Sequence, residues 1–221
     1  MKPQQTRIVT VDPESPREED LIPVAAMARE GKLVVFPTDT VYGVGASPLV
    51  PGAVREIFRV KERPADKPLV LLVADPKDAY EYASHISRLA ERLVNEYWPG
   101  PLTLIFKKSP RVPAEVTAGG DTVGIRCPDN PVARMLIRLV GVALATTSAN
   151  IGGRPSPRNA VEAKESLWGR VSYIVDGGEA KLGVESTVLD LSSSEPKLVR
   201  EGFISWDELK AKLNRRRSVN R

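Results

Sequence analysis

KLVVFPTDTVYGVGA, Lys32 to Ala46, is the stretch that decides the architecture. Leu33-Val34-Val35-Phe36 is a short, β-branched apolar run and reads as a buried strand. Pro37 then ends regular ladder pairing, because it has no N–H to give. Two hydroxyls and a carboxylate follow at once (Thr38, Asp39, Thr40), then Tyr42 and the glycines Gly43 and Gly45. A buried strand that delivers polar side chains to its C-terminal end is how open α/β sheets build ligand sites. Taken alone, the stretch is equally a strand, a polar turn and the start of a helix.

The flanks alternate helix and strand. Arg7 to Val11 reads as a strand. Glu18 to Glu30 places Leu21, Val24, Ala25 and Ala28 on one helical face, with Pro23 tolerable only near the first turn and Gly31 as the C-terminal cap. Downstream, helices are expected over Ala53 to Val60, Asp78 to Ala83 and Ile86 to Trp98, with strands over Leu69 to Val73, Leu102 to Lys107 and Thr122 to Cys127. Asn130-Pro131 opens a helix to Val140, and Val142 to Thr146 is a strand running into TTSAN. After a Pro- and Gly-rich loop (Gly152 to Asn159) a helix runs to Trp168. Strands follow over Val171 to Val175, Ser186 to Leu191 and Lys197 to Arg200, then a helix capped by Ser205 and Glu208. The expectation is one α/β domain built on a mixed sheet.

Length and composition narrow the function. The chain has 221 residues, 42% hydrophobic and 27% charged, as an ordinary soluble globular protein has. No apolar run approaches the roughly 20 residues a membrane span needs, and the first twenty residues hold no apolar signal core. A cytoplasmic protein with no membrane partner is expected. The single cysteine, Cys127, rules out an internal disulfide framework and a cysteine-rich zinc site. The single histidine, His85, has no nucleophile signature beside it and reads as a loop residue. The formal charge of +4 sits entirely in the segment from Asp207 to Arg221, so the body is neutral. Such a tail can contact RNA through phosphates, or be a solvated end.

Familiar nucleotide motifs are missing. No G-x-x-x-x-G-K-[ST] occurs, and Pro48 stands where a dinucleotide fingerprint starting at Gly43 needs its third glycine. Lys61 and Arg63, two apart in a charged loop, can both reach one polyanion if the segment is extended. Arg63 offers a fork for phosphate oxygens and Lys61 a point charge. Ser148 and Asn150 have the same spacing just past a strand and can donate to the same oxygens. Taken separately, the first pair is also a solvated loop and the second a turn.

In order along the chain stand FPTDTVYGVGA, KERPADKPL, WPGPLTLI, VGIRCP, TTSAN and GVESTV. Together they closely resemble the YrdC-like family of threonylcarbamoyl-adenylate synthases. K-x-R followed by S-x-N marks that family's active members, here Lys61, Arg63, Ser148 and Asn150. The resemblance implies an α/β domain with a twisted mixed sheet, flanking helices and a concave, positively lined site. It implies that L-threonine, bicarbonate and ATP give threonylcarbamoyl-adenylate and pyrophosphate, and that a separate threonylcarbamoyl transferase complex carries the group to tRNA. By the same resemblance, Lys61, Arg63, Ser148, Asn150 and Arg200 hold the phosphates, and Lys67, Thr122 and Ser156 are further ATP contacts. Thr40, Arg126, Thr146 and Ser186 would hold L-threonine, with Arg126 on its carboxylate. Magnesium would arrive with ATP; no dedicated metal cage and no tightly bound organic cofactor are expected. Leu72 stands where some relatives carry a histidine near threonine. That departure implies the short, single-domain branch, with a catalytic domain over residues 1–213 and a basic tail over 214–221. The alternative is a YrdC-like module that binds double-stranded RNA without making adenylate, which a neutral body disfavours.

Overall fold

A computed structural model describes residues 5–64 and 66–214. Its first half contains β1 (Arg7–Thr10), α1 (Glu18–Arg29), β2 (Val34–Phe36), β3 (Gly43–Ala46), α2 (Ala53–Lys61) and β4 (Val70–Leu72). A 3-10 turn (Pro76–Asp78) leads into α3 (Ala79–Tyr82) and α4 (Arg88–Tyr97), followed by β5 (Leu102–Lys107) and β6 (Thr122–Arg126). The rest comprises α5 (Pro131–Val140), β7 (Leu144–Ser148), α6 (Ala160–Leu167), β8 (Tyr173–Asp176), β9 (Thr187–Asp190), β10 (Lys197–Arg200) and α7 (Trp206–Asn214). The basic residues Arg215 to Arg221 lie outside the described residues.

All ten strands join one twisted sheet in the order β1-β8-β2-β3-β7-β4-β6-β5-β9-β10. It is mixed, as expected: β8 pairs parallel with β1 and β2, and β4 with β6, while β3 and β7 run antiparallel to their neighbours. No helix among the described residues is long and apolar enough to cross a membrane.

Side-chain alternation divides the core into two clusters, one on each face of the sheet. Val34 and Phe36 of β2, with Leu144, Tyr173 and Val175, pack against Leu21 and Val24 of α1 and Val132 and Leu136 of α5. Leu33 and Val35 point the other way, toward Ile57 and Phe58 of α2, Leu93 and Val94 of α4 and Leu167 of α6. The sequence LTLIFK of β5 shows the same division: Leu102, Leu104 and Phe106 enter the second cluster, leaving Thr103 and Ile105 on the opposite face. On that face α1 and α5 cover the first part of the sheet, and the face of β4, β6, β5 and β9 beyond them carries the site.

The structure departs from the sequence reading at three places that matter. The segment after the polar turn is not the start of a helix but a return strand, since β3 pairs antiparallel with β2 and with β7. Its glycines are required by crowding. A Cβ at Gly45 would lie 2.7 Å from the Ala145 carbonyl oxygen and 2.7 Å from Thr146 Oγ1. Gly45→Ala is therefore expected to destabilise the fold by about 1–3 kcal/mol through overpacking; an unchanged denaturation midpoint would show that the sheet gives way there. β7, with β3 as its ladder partner, runs two residues further than expected, so Ser148 is its last residue and pairs with Gly43. Pro23, finally, sits at the sixth position of α1 rather than in its first turn. It is exposed, and burial of Leu21, Val24, Ala25 and Ala28 holds the helix around it.

Candidate active site

The open part of the sheet face bears a cavity of about 350 Å³. Period two explains its wall. Thr122, Gly124 and Arg126 of β6, Val70 and Leu72 of β4, and Thr103 and Ile105 of β5 all project to one side. Gly124 keeps the floor low, since a Cβ there would touch Thr103 and Val70. The site thus lies across a sheet face and draws on several strands, whereas the opening stretch alone suggested the end of one strand. Leu72 has two contacts, one with the cavity and one with the cluster under α1 and α5, which suits an apolar side chain.

Thr40, Arg126, Thr146 and Ser186 line the cavity. Arg126 is 5% exposed and Asp39 2%, and the two form an ion pair through Arg126 Nη2 and Asp39 Oδ1. Arg126 Nε donates to the Gly100 carbonyl at 2.9 Å and Nη1 to Thr40 Oγ1 at 2.7 Å. Thr38 Oγ1 lies 3.0 Å from Thr40 Oγ1 and donates its own proton to the Val41 carbonyl, so the Thr40 hydroxyl donates to Thr38. Burial pushes the Asp39 carboxyl above its ordinary range, and Arg126 pulls it back. Asp39 Oδ2 is buried without a hydrogen-bond partner. Ser186 Oγ lies 2.8 Å from Thr103 Oγ1 and accepts from Arg200 at 3.3 Å.

Arg63, Thr122, Ser148 and Arg200 line the same cavity. The K-x-R segment is not extended. Lys61 ends α2, and Glu62 takes a left-handed backbone (φ 53°), so the two cations diverge. Lys61 is 2% exposed and donates through Nζ to the Ser148 carbonyl, to the Asn150 carbonyl at 2.6 Å and to Asn150 Oδ1 at 3.2 Å. Burial pushes its ammonium down to about 8, helped by the Arg63 charge and opposed by Glu185. Ser148 Oγ donates to Asn150 Oδ1 at 2.6 Å, and Asn150 Nδ2 to the Arg154 carbonyl at 2.5 Å. Lys61 and Asn150 thereby hold the chain that presents Ser148. Lys61→Met should leave those acceptors unsatisfied, costing about 1–3 kcal/mol. Its denaturation midpoint should fall, and an unchanged midpoint would remove Lys61 from the frame.

Arg63 differs from Lys61. Its Nη2 donates to the Pro68 carbonyl at 3.3 Å, while its Nε is buried without a hydrogen-bond partner. Burial lowers its proton affinity, with Glu185 opposing. Lys67 is exposed and outside the cavity wall, and Ser156 lines a second cavity and donates to Glu185 Oε1 at 2.7 Å. The fold therefore gathers eight of the twelve expected site residues around one cavity; Lys61 and Asn150 brace it, Ser156 touches its rim through Glu185, and Lys67 stands apart. Sequence reasoning gave no role to Asp39, Thr103 or Glu185. Asp39 and Glu185 lay within quoted motifs, but their arginine partners are 87 and 15 residues away.

Comparison with known proteins finds similar chains over most of the sequence. The family model Sua5_yciO_yrdC, described as "Telomere recombination", matches residues 26–202. The threonylcarbamoyl-AMP synthase of Pyrococcus abyssi is 47% identical over 193 residues, 87% of this chain and 57% of that protein. The enzyme of the same name from Bacillus subtilis is 40% identical over 212 residues, 96% of this chain and 61% of the relative. The chain thus spans about three-fifths of the length of these relatives. The crystal structure of P. abyssi Sua5 complexed with L-threonine superposes with a TM-score of 0.91 at 43% identity, covering 94% of this chain and 61% of that one. The match across residues 26–202 contains every strand from β2 to β10, and on it the chain belongs to the Sua5/YciO/YrdC family.

Proposed function

We propose that this chain makes threonylcarbamoyl-adenylate and pyrophosphate from L-threonine, bicarbonate and ATP. The observation that carries the reading is that Thr40, Arg126, Thr146 and Ser186 line one cavity together with Arg63, Thr122, Ser148 and Arg200. Relatives named for this activity, and one crystallised with L-threonine, support it.

The lining around Arg126 suits an amino acid. Arg126, fixed by Asp39 and Gly100, presents a guanidinium of set orientation to a carboxylate. The amine condenses with bicarbonate, releasing water and leaving a carbamate. A carbamate oxygen then attacks the α-phosphorus of ATP, the bond to the β-phosphate oxygen breaks, and pyrophosphate leaves. Little covalent work falls to the protein; the barrier is lowered by alignment and by cations placed where phosphate charge gathers. Arg63 and Arg200 are the lining cations that would meet that charge. Ser148 is held there by the Lys61–Asn150 frame, and Lys67, Thr122 and Ser156 would contact the rest of the nucleotide. Magnesium supplies charge neutralisation to the triphosphate, and the cavity hydroxyls are hard oxygen donors that fit it. The product would pass to a threonylcarbamoyl transferase complex acting on tRNA. The catalytic unit would occupy residues 1–213.

Pyrophosphate release from ATP with bicarbonate, with and without L-threonine and with L-serine as control, tests the reading. Threonine-dependent release is expected. Release indifferent to threonine, or none from folded protein with magnesium present, would refute it.

A further inference from the structure

One carboxylate stands among the cations of the cavity. Glu185, just before β9, pairs through Oε2 with Arg200 and accepts the Ser156 hydroxyl at 2.7 Å through Oε1. Its charge also reaches Arg63 and Lys61, raising the proton affinity of both. It borders the sheet-face cavity and the second cavity, where Val41, Ser156 and Arg158 also stand. Both of its side-chain partners are residues the proposed function assigns to ATP, so an anion arriving at Arg200 meets an anion already there.

The main chain at Glu185 is pinned, whereas its side chain is held by one hydroxyl and a half-exposed ion pair. The Phe203 N–H donates to the Glu185 carbonyl at 3.0 Å, and a Cβ at Gly202 would come within 2.3 Å of that oxygen. The carboxylate sits on the cavity side of this anchor, and its pair with Arg200 is 38% and 45% exposed at the two side chains. Ion pairs so open to water are weak. A polyphosphate, which brings several anionic oxygens to the same guanidinium, can displace it.

We infer that Glu185 is an internal counter-anion of the phosphate site. It holds Arg200 and Ser156 in place while the site is empty, yields Arg200 to the incoming polyphosphate, and competes with pyrophosphate for that arginine after the α–β phosphate bond has broken. Glu185 acts through Arg200 and is a positioning residue that sets how tightly pyrophosphate is retained. The inference rests on the nucleotide reading above.

Titration calorimetry of inorganic pyrophosphate and of a non-hydrolysable ATP analogue, at fixed low salt, compares the wild type with Glu185→Gln and Glu185→Ala. Removing the charge should tighten pyrophosphate binding by about fivefold or more in both variants, with product inhibition strengthened in proportion. A merely structural role gives the opposite sign, because Arg200 and Ser156 would lose their anchor and bind more weakly. Wild-type binding with equal or weaker binding in the variants overturns the role of Glu185 and leaves the nucleotide reading standing. A wild type that binds neither ligand overturns both. Thermal melting of each variant shows whether it is folded, and either folded variant suffices.

Discussion

Replacing Arg63 with alanine is expected to cut threonine-dependent pyrophosphate release by about 100-fold or more, with the denaturation midpoint unchanged. The two halves of this expectation have separate causes. Arg63 makes one long hydrogen bond, to the Pro68 carbonyl at 3.3 Å, so the fold loses little without it. Its Nε is buried with no hydrogen-bond partner within the protein, so removing it leaves no protein acceptor unsatisfied. Removing a donor aimed at developing phosphate charge costs about 100- to 1000-fold in rate in comparable sites. Near-normal turnover in Arg63→Ala would refute its phosphate role. A collapse of stability would instead make Arg63 part of the frame that Lys61 belongs to.

Arg126→Ala has a different profile. Asp39 is 2% exposed, its Oδ2 already lacks a partner, and Arg126 is the cation paired with its Oδ1. Breaking a buried pair by removing one member costs about 3–5 kcal/mol, which lowers the melting temperature by about 10 °C in a chain of this size. The deficit should depend on pH. Burial already raises the folded-state pKa of Asp39 above its unfolded value of about 3.9, and losing Arg126 raises it further, so the folded protein binds that proton more tightly than the unfolded chain does. Its contribution to stability is present at low pH and is lost as pH rises, so the deficit is larger at pH 7 than at pH 5. The double variant Asp39→Asn/Arg126→Met removes both charges and should recover most of the stability. Threonine affinity, read in that background, should still be weaker by about 10- to 100-fold, the worth of a charge-assisted hydrogen bond to the substrate carboxylate. Unchanged affinity would refute the proposed threonine contact of Arg126 and leave it a purely structural ion pair.

How far the sequence reaches can be judged from particular residues. Local signals located α1 by the spacing of Leu21, Val24 and Ala28, β5 by its apolar run with Leu102 and Leu104, and α5 by its Asn130-Pro131 start; the Asn130 side chain accepts from the Ala133 amide as a cap should. These features are local, set by side-chain spacing and by backbone groups within one turn. The six ordered motifs identified the family, and most residues expected to meet around a ligand do line one cavity.

Three things were decided by the tertiary structure. β3 carries too little apolar pattern to announce itself, because Gly43 and Gly45 are selected by the close approach of β7, an element a hundred residues away. The divergence of Lys61 and Arg63 comes from the left-handed Glu62 at the end of α2, so one lysine braces the Ser148–Asn150 segment while the neighbouring arginine faces the cavity. The charge of the site depends on pairing: Asp39 and Glu185 each take an arginine from its walls. Sequence spacing determines which face a residue occupies, but whether a charge on that face is free or compensated depends on what the folded chain brings within hydrogen-bond reach.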